Sequence, residues 1–372
     1  MCVGSVGFKS SGGDQQALNS GAHLTPHGHD DQHYKRANVQ FALHSVVQTI
    51  KHDVMATNAE NFNGIIKIGT RGSPLALAQA NMVRDLLMAA HPGMAVDLSI
   101  IKTSGDQFLD RPLADIGGKG LFTKEIEDAL LAGEIDIAVH SMKDVPTALP
   151  LGLGIFCMLV REDPRDALLV RDASINAIEN LPQGARVGTA SLRRRAQLLS
   201  VRPDLDVISF RGNVGTRMRK LEAGEADATL LAMAGLNRLG MASAASVILS
   251  TDDMLPAVAQ GAVGIECRED DARVRDLLGP LNDVPTGTVV AAERALLAEL
   301  DGSCRTPIAA LALIDDGGGL SLVARVFAPD GGARFDAMRT GNIGDGEAMG
   351  RDAGQELRAL AGTAFFESLK DL

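Results

Sequence analysis

A short signature occurs twice in this chain, each time joining a helical pattern to an apolar run: Ala132-Gly133-Glu134-x-Asp136 ahead of I-A-V-H-S, and Ala223-Gly224-Glu225-x-Asp227 ahead of A-T-L-L-A. What precedes each copy also matches. IIKIGT (65–70) reads as a buried strand and runs through R-G-S-P into LALAQANMVRDLLMAA, apolar at Leu75, Ala78, Met82, Leu86 and Ala90. RVGTA (186–190) ends a second strand and runs into SLRRRAQLLSV. Ser73 and Ser191 stand where helix N-caps belong, Pro74 takes the first helical position, and His91-Pro92-Gly93 stops the first helix. VDLSIIK (96–102) and DVISF are the strands that follow. In each half a further helix (FTKEIEDALLAG, TRMRKLEAG) then leads to the signature. Strand and helix alternating this way build layered α/β units, so two α/β modules of related design are expected.

After Pro285 the pattern changes. TVVAAERALLAEL reads as a helix, D-G-S-C-R-T-P as a loop, IAALALI and LSLVARVF as strands joined by DDGGG, and 347–371 as a final amphipathic helix. A small α+β domain is expected there. Residues 1–63 hold six of the eight histidines and no lasting periodicity, and are expected to form a disordered N-terminal extension. Its cluster His23, His27, His29 and His33 could bind metal adventitiously, and Met55, just ahead of the first strand, is a candidate for the true start. The extension has no apolar h-region and a single arginine, Arg36, so it reads neither as a secretory signal nor as a transit peptide.

Composition narrows the function. With aromatics at 3%, no Trp and only Tyr34, the chain lacks base-stacking platforms, and a net charge of -11 opposes a nucleic-acid partner. No run of about 18 apolar residues occurs, so no membrane span is expected. Cys2, Cys157, Cys267 and Cys304 form no CxxC pair, which fits a reducing compartment and argues against disulfides or a zinc site. A cytoplasmic monomer is expected.

The residues that carry chemistry sit at strand-to-helix junctions. Arg71 precedes the first helix, and Arg193, Arg194 and Arg195 fill the first turn of another. A helix N-terminus already attracts anions, so cations there are unfavourable unless an anion is expected. A solvated basic face is the competing explanation, and at least one of three consecutive arginines should be merely exposed. Arg211 and Arg217 flank a further Gly-bearing loop. Planar guanidinium forks suit carboxylates or phosphates. G-G-K-G (117–120) and G-L-G (152–154) lack nucleotide-binding spacings, so small carboxylated ligands fit better. Asp144, beside Ser141 and Lys143, closes an apolar strand at its carboxyl end, where open α/β sheets contact ligands; it is either a turn residue or a carboxylate able to move a proton or stabilise a cation. Cys157 and Cys267 lie in apolar runs and read as core. Cys304 lies on a Gly-Ser loop next to Arg305, which favours thiolate and makes it a candidate nucleophile.

G-T-R-G-S-P-L-A-L-A-Q, G-G-K-G-L-F-T-K-E-I-E, V-H-S-M-K-D-V-P, T-A-S-L-R-R-R, R-G-N-V-G-T-R, L-P-A-V-A-Q-G-A-V-G-I-E-C-R and D-G-S-C-R-T-P-I together resemble the porphobilinogen deaminase family, in the family's order, from about residue 65 to the C-terminus. The resemblance implies two α/β domains like halves of a type II periplasmic binding protein, 64–161 completed by 261–280 and then 162–260, plus an α+β domain over 284–372. It implies a dipyrromethane cofactor bound by thioether to Cys304, which primes stepwise condensation of four porphobilinogen molecules with loss of ammonia and final release of hydroxymethylbilane. By the same resemblance Asp144 is the catalytic carboxylate, and Lys143, Ser141, Arg193, Arg194, Thr189 and Ser191 hold the cofactor. Arg71, Ser73, Gln79, Arg211, Arg217 and Lys119 bind substrate, with the loop 103–121 as a segment over the cleft.

Some positions depart from the family pattern. Ser303 replaces a frequent glycine beside Cys304, Asp115 stands where a lysine is common, and Ala259 stands where glycine is frequent. A non-catalytic two-lobed binding protein for a small carboxylated ligand is the alternative, but it leaves Asp144 and Cys304 without a purpose.

Overall fold

The computed structural model describes residues 64–107, 122–300 and 306–369. Lys119, Cys304, Asp115, the N-terminal extension and most of the loop 103–121 lie outside the described residues. The first stretch contributes β1 (Ile65–Thr70), α1 (Pro74–Ala90), β2 (Ala95–Ile100), α2 (Lys124–Leu131), β3 (Ile137–Ser141) and β4 (Leu153–Met158). The second contributes β5 (Asp166–Val170), β6 (Arg186–Gly188), α3 (Leu192–Val201), β7 (Asp206–Ile208), α4 (Val214–Glu222), β8 (Ala228–Ala232), α5 (Met233–Arg238) and β9 (Val247–Ile248). β10 (Val263–Arg268) and α6 (Ala272–Leu278) follow, then α7 (Val284–Glu299), β11 (Ile308–Ile314), β12 (Gly319–Phe327), β13 (Arg334–Asn342), α8 (Gly346–Ala361) and α9 (Thr363–Ser368).

The strands form three sheets, ordered β2-β1-β3-β10-β4, β7-β6-β8-β5-β9 and β11-β12-β13. The first two share one plan. In each, the second strand of the order (β1 or β6) is parallel to both neighbours, while one strand enters antiparallel: β10 between β3 and β4, and β5 between β8 and β9. The chain passes between the two sheets twice, through 159–165 and 249–262.

The repeated signature has a physical cause in this plan. Gly133 (φ +71°) and Gly224 (φ +80°) take the left-handed conformation that ends a helix without a Cβ clash. Three residues on, Asp136 accepts the Lys67 N–H at 2.8 Å and Asp227 accepts the Arg186 N–H at 2.9 Å. Each aspartate thus ties its strand to the parallel neighbour in the same sheet, β1 or β6. Capping follows the sequence as well. Ser73 accepts the Ala76 N–H at 3.3 Å, and Asn213 accepts the Thr216 N–H at 2.9 Å to start α4. Each such cap stabilises by about 1 kcal/mol.

In the third domain α7 and α8 cover one face of the three-stranded sheet, burying Val290, Leu296, Leu322, Ala324 and Leu357 in one core. Two expectations change here. The helix expected over 347–371 is two, α8 and α9, broken at Gly362 (φ +80°). β13 was not legible as a strand, because this edge strand is largely exposed and charged and lacks a clear alternation of apolar residues.

Candidate active site

Ser141 ends β3, and a single tight turn, Met142–Asp144, follows it. The turn is closed by the Val145 N–H on the Met142 carbonyl (3.2 Å) and held to the crossing strand by the Met142 N–H on Ala262 (3.0 Å). Met142 and Val145 are buried, Lys143 is half-buried and Asp144 is exposed, so the turn aims its charged pair outward from an anchored backbone. Gln79, buried in α1, donates to the Ser141 hydroxyl at 2.8 Å and fixes it.

On the second module, Ser191 accepts the Arg194 N–H at 3.4 Å and its own N–H reaches the Thr189 hydroxyl at 3.2 Å. This cap sends Arg193 and Arg194 inward and leaves Arg195 exposed. Both buried guanidiniums grip Asp166 at the start of β5, Arg193 Nη2 at 2.8 Å from Oδ2 and Arg194 Nη2 at 2.7 Å from Oδ1. They also cap backbone carbonyls, Leu255 at 2.8 Å and Leu230 at 2.9 Å respectively. Burial opposes a charge on Asp166, but the two arginines outweigh it and hold the carboxyl well below the usual range. The Nε–H groups of Arg193 and Arg194 are buried without a hydrogen-bond partner.

The two sides meet electrostatically. Lys143 is pulled down to about 8 by burial, with Arg194 and Arg193 adding to the fall and Asp144 and Asp166 opposing it. Arg217, whose Nε donates to Gly212 at 2.8 Å, is pulled down to about 10 by burial and by Arg194 and Arg211, against the attraction of Asp144. Lys143, Arg193, Arg194, Arg211 and Arg217 therefore share one field with Asp144 and Asp166. Among these described residues the cations outnumber the carboxylates, so the field favours an anion with several carboxylates. At the first module's edge, Arg71 lies over the Phe122 ring, 4.1 Å from its centroid, and Ser73 caps α1. Gly235 in α5 packs close to both Leu75 and Val214, so the starts of α1 and α4 both lie against α5.

Of the residues expected at the site, all but Lys119 and Cys304 fall within the described residues. Gln79 contacts Ser141 from within the core, with 2% of its surface exposed. The sequence reading missed Asp166. Its signal was a lone charge opening the otherwise apolar strand D-A-L-L-V. Cys157 and Cys267 are buried thiols, pushed up by burial to about 12 and about 11, which makes them poor nucleophiles and suits their place in the core.

Residues 66–276 match the family model described as porphobilinogen deaminase, dipyromethane cofactor binding domain, and residues 288–359 match the porphobilinogen deaminase C-terminal domain. The chain is 59% identical over 305 residues to a porphobilinogen deaminase of Paracoccus denitrificans, covering 81% of this chain and 96% of that one. It is 56% identical over 312 residues to a chloroplastic porphobilinogen deaminase of Oryza sativa, covering 82% of this chain and 87% of the relative. Among solved structures, the periplasmic aliphatic sulphonate binding protein of Escherichia coli aligns with a TM-score of 0.36 and 14% identity over 64% of this chain and 70% of that one.

Proposed function

The chain belongs to the porphobilinogen deaminase family, and on that premise we propose that Asp144 is the carboxylate around which its pyrrole condensation is organised. The activity is the stepwise joining of four porphobilinogen molecules with loss of ammonia, followed by hydrolytic release of hydroxymethylbilane. The dipyrromethane cofactor, which this reading places on Cys304, would supply the pyrrole carbon that the growing chain extends from.

The residues present fit such a group. Its acidic side chains match a cation-rich field, and the unpartnered Nε–H groups of Arg193 and Arg194 are donors in want of an acceptor. In this reading Lys143, Ser141, Arg193, Arg194, Thr189 and Ser191 hold the cofactor. Arg71, Ser73, Arg211, Arg217 and Lys119 hold the acetate and propionate groups of the substrate, with Gln79 orienting Ser141. Asp144, exposed on its turn, accepts pyrrole N–H groups, assists departure of ammonia and stabilises the cationic azafulvene left behind. The observation that carries the assignment is Asp144 exposed on the anchored turn after β3, in a cation-rich field with Arg194 of α3 and Arg217 of α4.

The domain division follows sheet membership. Residues 64–161 with 261–280 form domain 1, 162–260 domain 2, 284–372 domain 3, and 1–63 an extension. β10 pairing within the first sheet supports the return of 261–280. A cytoplasmic monomer completes the reading; the two buried cysteines of the described residues are free thiols, in keeping with a reducing compartment. Intact mass of the purified protein beside Cys304→Ser tests the placing of the cofactor on Cys304. A mass excess of two linked pyrroles, lost in the variant, is expected; an unmodified chain after incubation with porphobilinogen would sink it.

A further inference from the structure

The turn that presents Asp144 does not rest on its own domain alone. Met142 and Val145, on either side of the Lys143-Asp144 pair, are 1% and 5% exposed and belong to the same hydrophobic core as Val290, Leu296 and Leu322 of the third domain. Arg294, on α7 of that domain, reaches the three carbonyls that follow Asp144. Its Nη1 donates to Val145 at 3.0 Å, and its Nη2 donates to Pro146 at 2.6 Å and more weakly to Thr147 at 3.4 Å. Burial pulls this guanidinium below its usual pKa, and among the described residues no carboxylate pairs with it. Three peptide dipoles are its compensation, an arrangement that leaves it little freedom to move.

The helix that bears Arg294 is itself fixed. The preceding residue, Glu293, is fully buried and accepts from Arg161, from the Ala259 N–H at 2.6 Å and from the Ala312 N–H at 2.9 Å. On the far side, Gly350 of α8 packs so closely that an added Cβ would stand 2.2 Å from the Ala292 carbonyl. Neighbouring residues on one rigid helix therefore grip the crossing strands and the Asp144 turn, and α7 ends five residues before Cys304.

We infer that Arg294 is a positioning residue for Asp144, holding the catalytic turn in register with the domain that carries the cofactor cysteine. The inference rests on the role proposed for Asp144. A planar fork spans adjacent carbonyls in a way that a point-like ammonium does not, and displacement of a catalytic group by about 1 Å costs on the order of a hundredfold in rate.

The experiment is steady-state kinetics on Arg294→Lys and Arg294→Met with primer mass and melting temperature measured alongside. The expected result is a fall in kcat of roughly tenfold or more for the methionine variant and a smaller fall for lysine. KM for porphobilinogen should stay within about threefold and the Cys304-linked mass should be retained, as a fault in alignment rather than in binding requires. Unchanged kcat in a folded Arg294→Met overturns the inference, as does a loss that tracks only the folded fraction. Should the methionine variant fail to fold, Arg294→Lys decides, and wild-type kcat there also overturns it. Asp144→Asn, run in parallel, separates the two failures. Normal turnover in that variant removes the reading of Asp144, whereas an inactive Asp144→Asn beside a fully active Arg294→Met removes only the role of Arg294.

Discussion

Arg161 and Glu293 meet through two charge-assisted hydrogen bonds, Nη1 to Oε1 at 2.6 Å and Nη2 to Oε2 at 3.1 Å, where the third domain touches both chain crossings. The glutamate has no exposed surface and the arginine side chain 11%. Removing one charge from a buried pair strands the other, at a cost of about 3–5 kcal/mol. Glu293→Gln is therefore expected to lower the urea midpoint steeply, and a change under about 1 kcal/mol would show that the pair is relaxed by solvent.

Asp144→Asn should leave stability unchanged, because the carboxylate is exposed and anchors nothing. Turnover should fall by about a hundredfold or more if the carboxylate serves both proton transfer and cation stabilisation. Stopped-time assays of ammonia release check this, and near-normal rates would remove Asp144 from the mechanism.

Arg194→Leu should harm folding and function together. Arg194 shares Asp166 with Arg193, so its loss leaves a buried carboxylate half-compensated. A lower melting temperature and a reduced fraction of primer-loaded protein are expected. Loaded protein of wild-type stability would return Arg194 to a dispensable role.

Lys143 gives the site a pH dependence with a definite sign. Folded, it releases its proton at about 8, whereas its ordinary value is 10.5. The unfolded chain thus binds the extra proton between those values, so this residue makes stability rise with pH across that window. Function should move the other way, because loss of the ammonium above about pH 8 weakens the anion field. KM for porphobilinogen is expected to rise there in the wild type and to lose that limb in Lys143→Gln. An identical profile in both proteins would assign the titration elsewhere.

Ala259 is the one non-glycine residue with a left-handed backbone among the described residues (φ 58°), and its N–H is held by Glu293. The Cβ strain costs roughly 1–2 kcal/mol, partly offset by the lower chain entropy of alanine in the unfolded state, about 0.4–1 kcal/mol. Ala259→Gly should therefore raise stability by somewhat under about 1 kcal/mol in thermal unfolding, and a decrease would mean that the methyl's packing outweighs the strain.

Much of this architecture is local and was determined by the sequence alone. Caps at Ser73 and Ser191, the glycines Gly133 and Gly224, and the twin aspartates Asp136 and Asp227 act over a few residues or in a repeated pattern, so they could be read directly. The motif-bearing residues Asp144, Lys143, Arg211 and Arg217 were legible for the same reason. The resemblance returned 261–280 to the first domain, but only the tertiary structure gave the pairing, antiparallel between β10 and β3 across more than a hundred intervening residues. It also decided that Arg194 turns onto Asp166, 28 residues away, and that Arg294 reaches back 149 residues to Val145. A charge buried in a protein must find a partner wherever packing brings one, and nothing in the neighbouring sequence records where that will be.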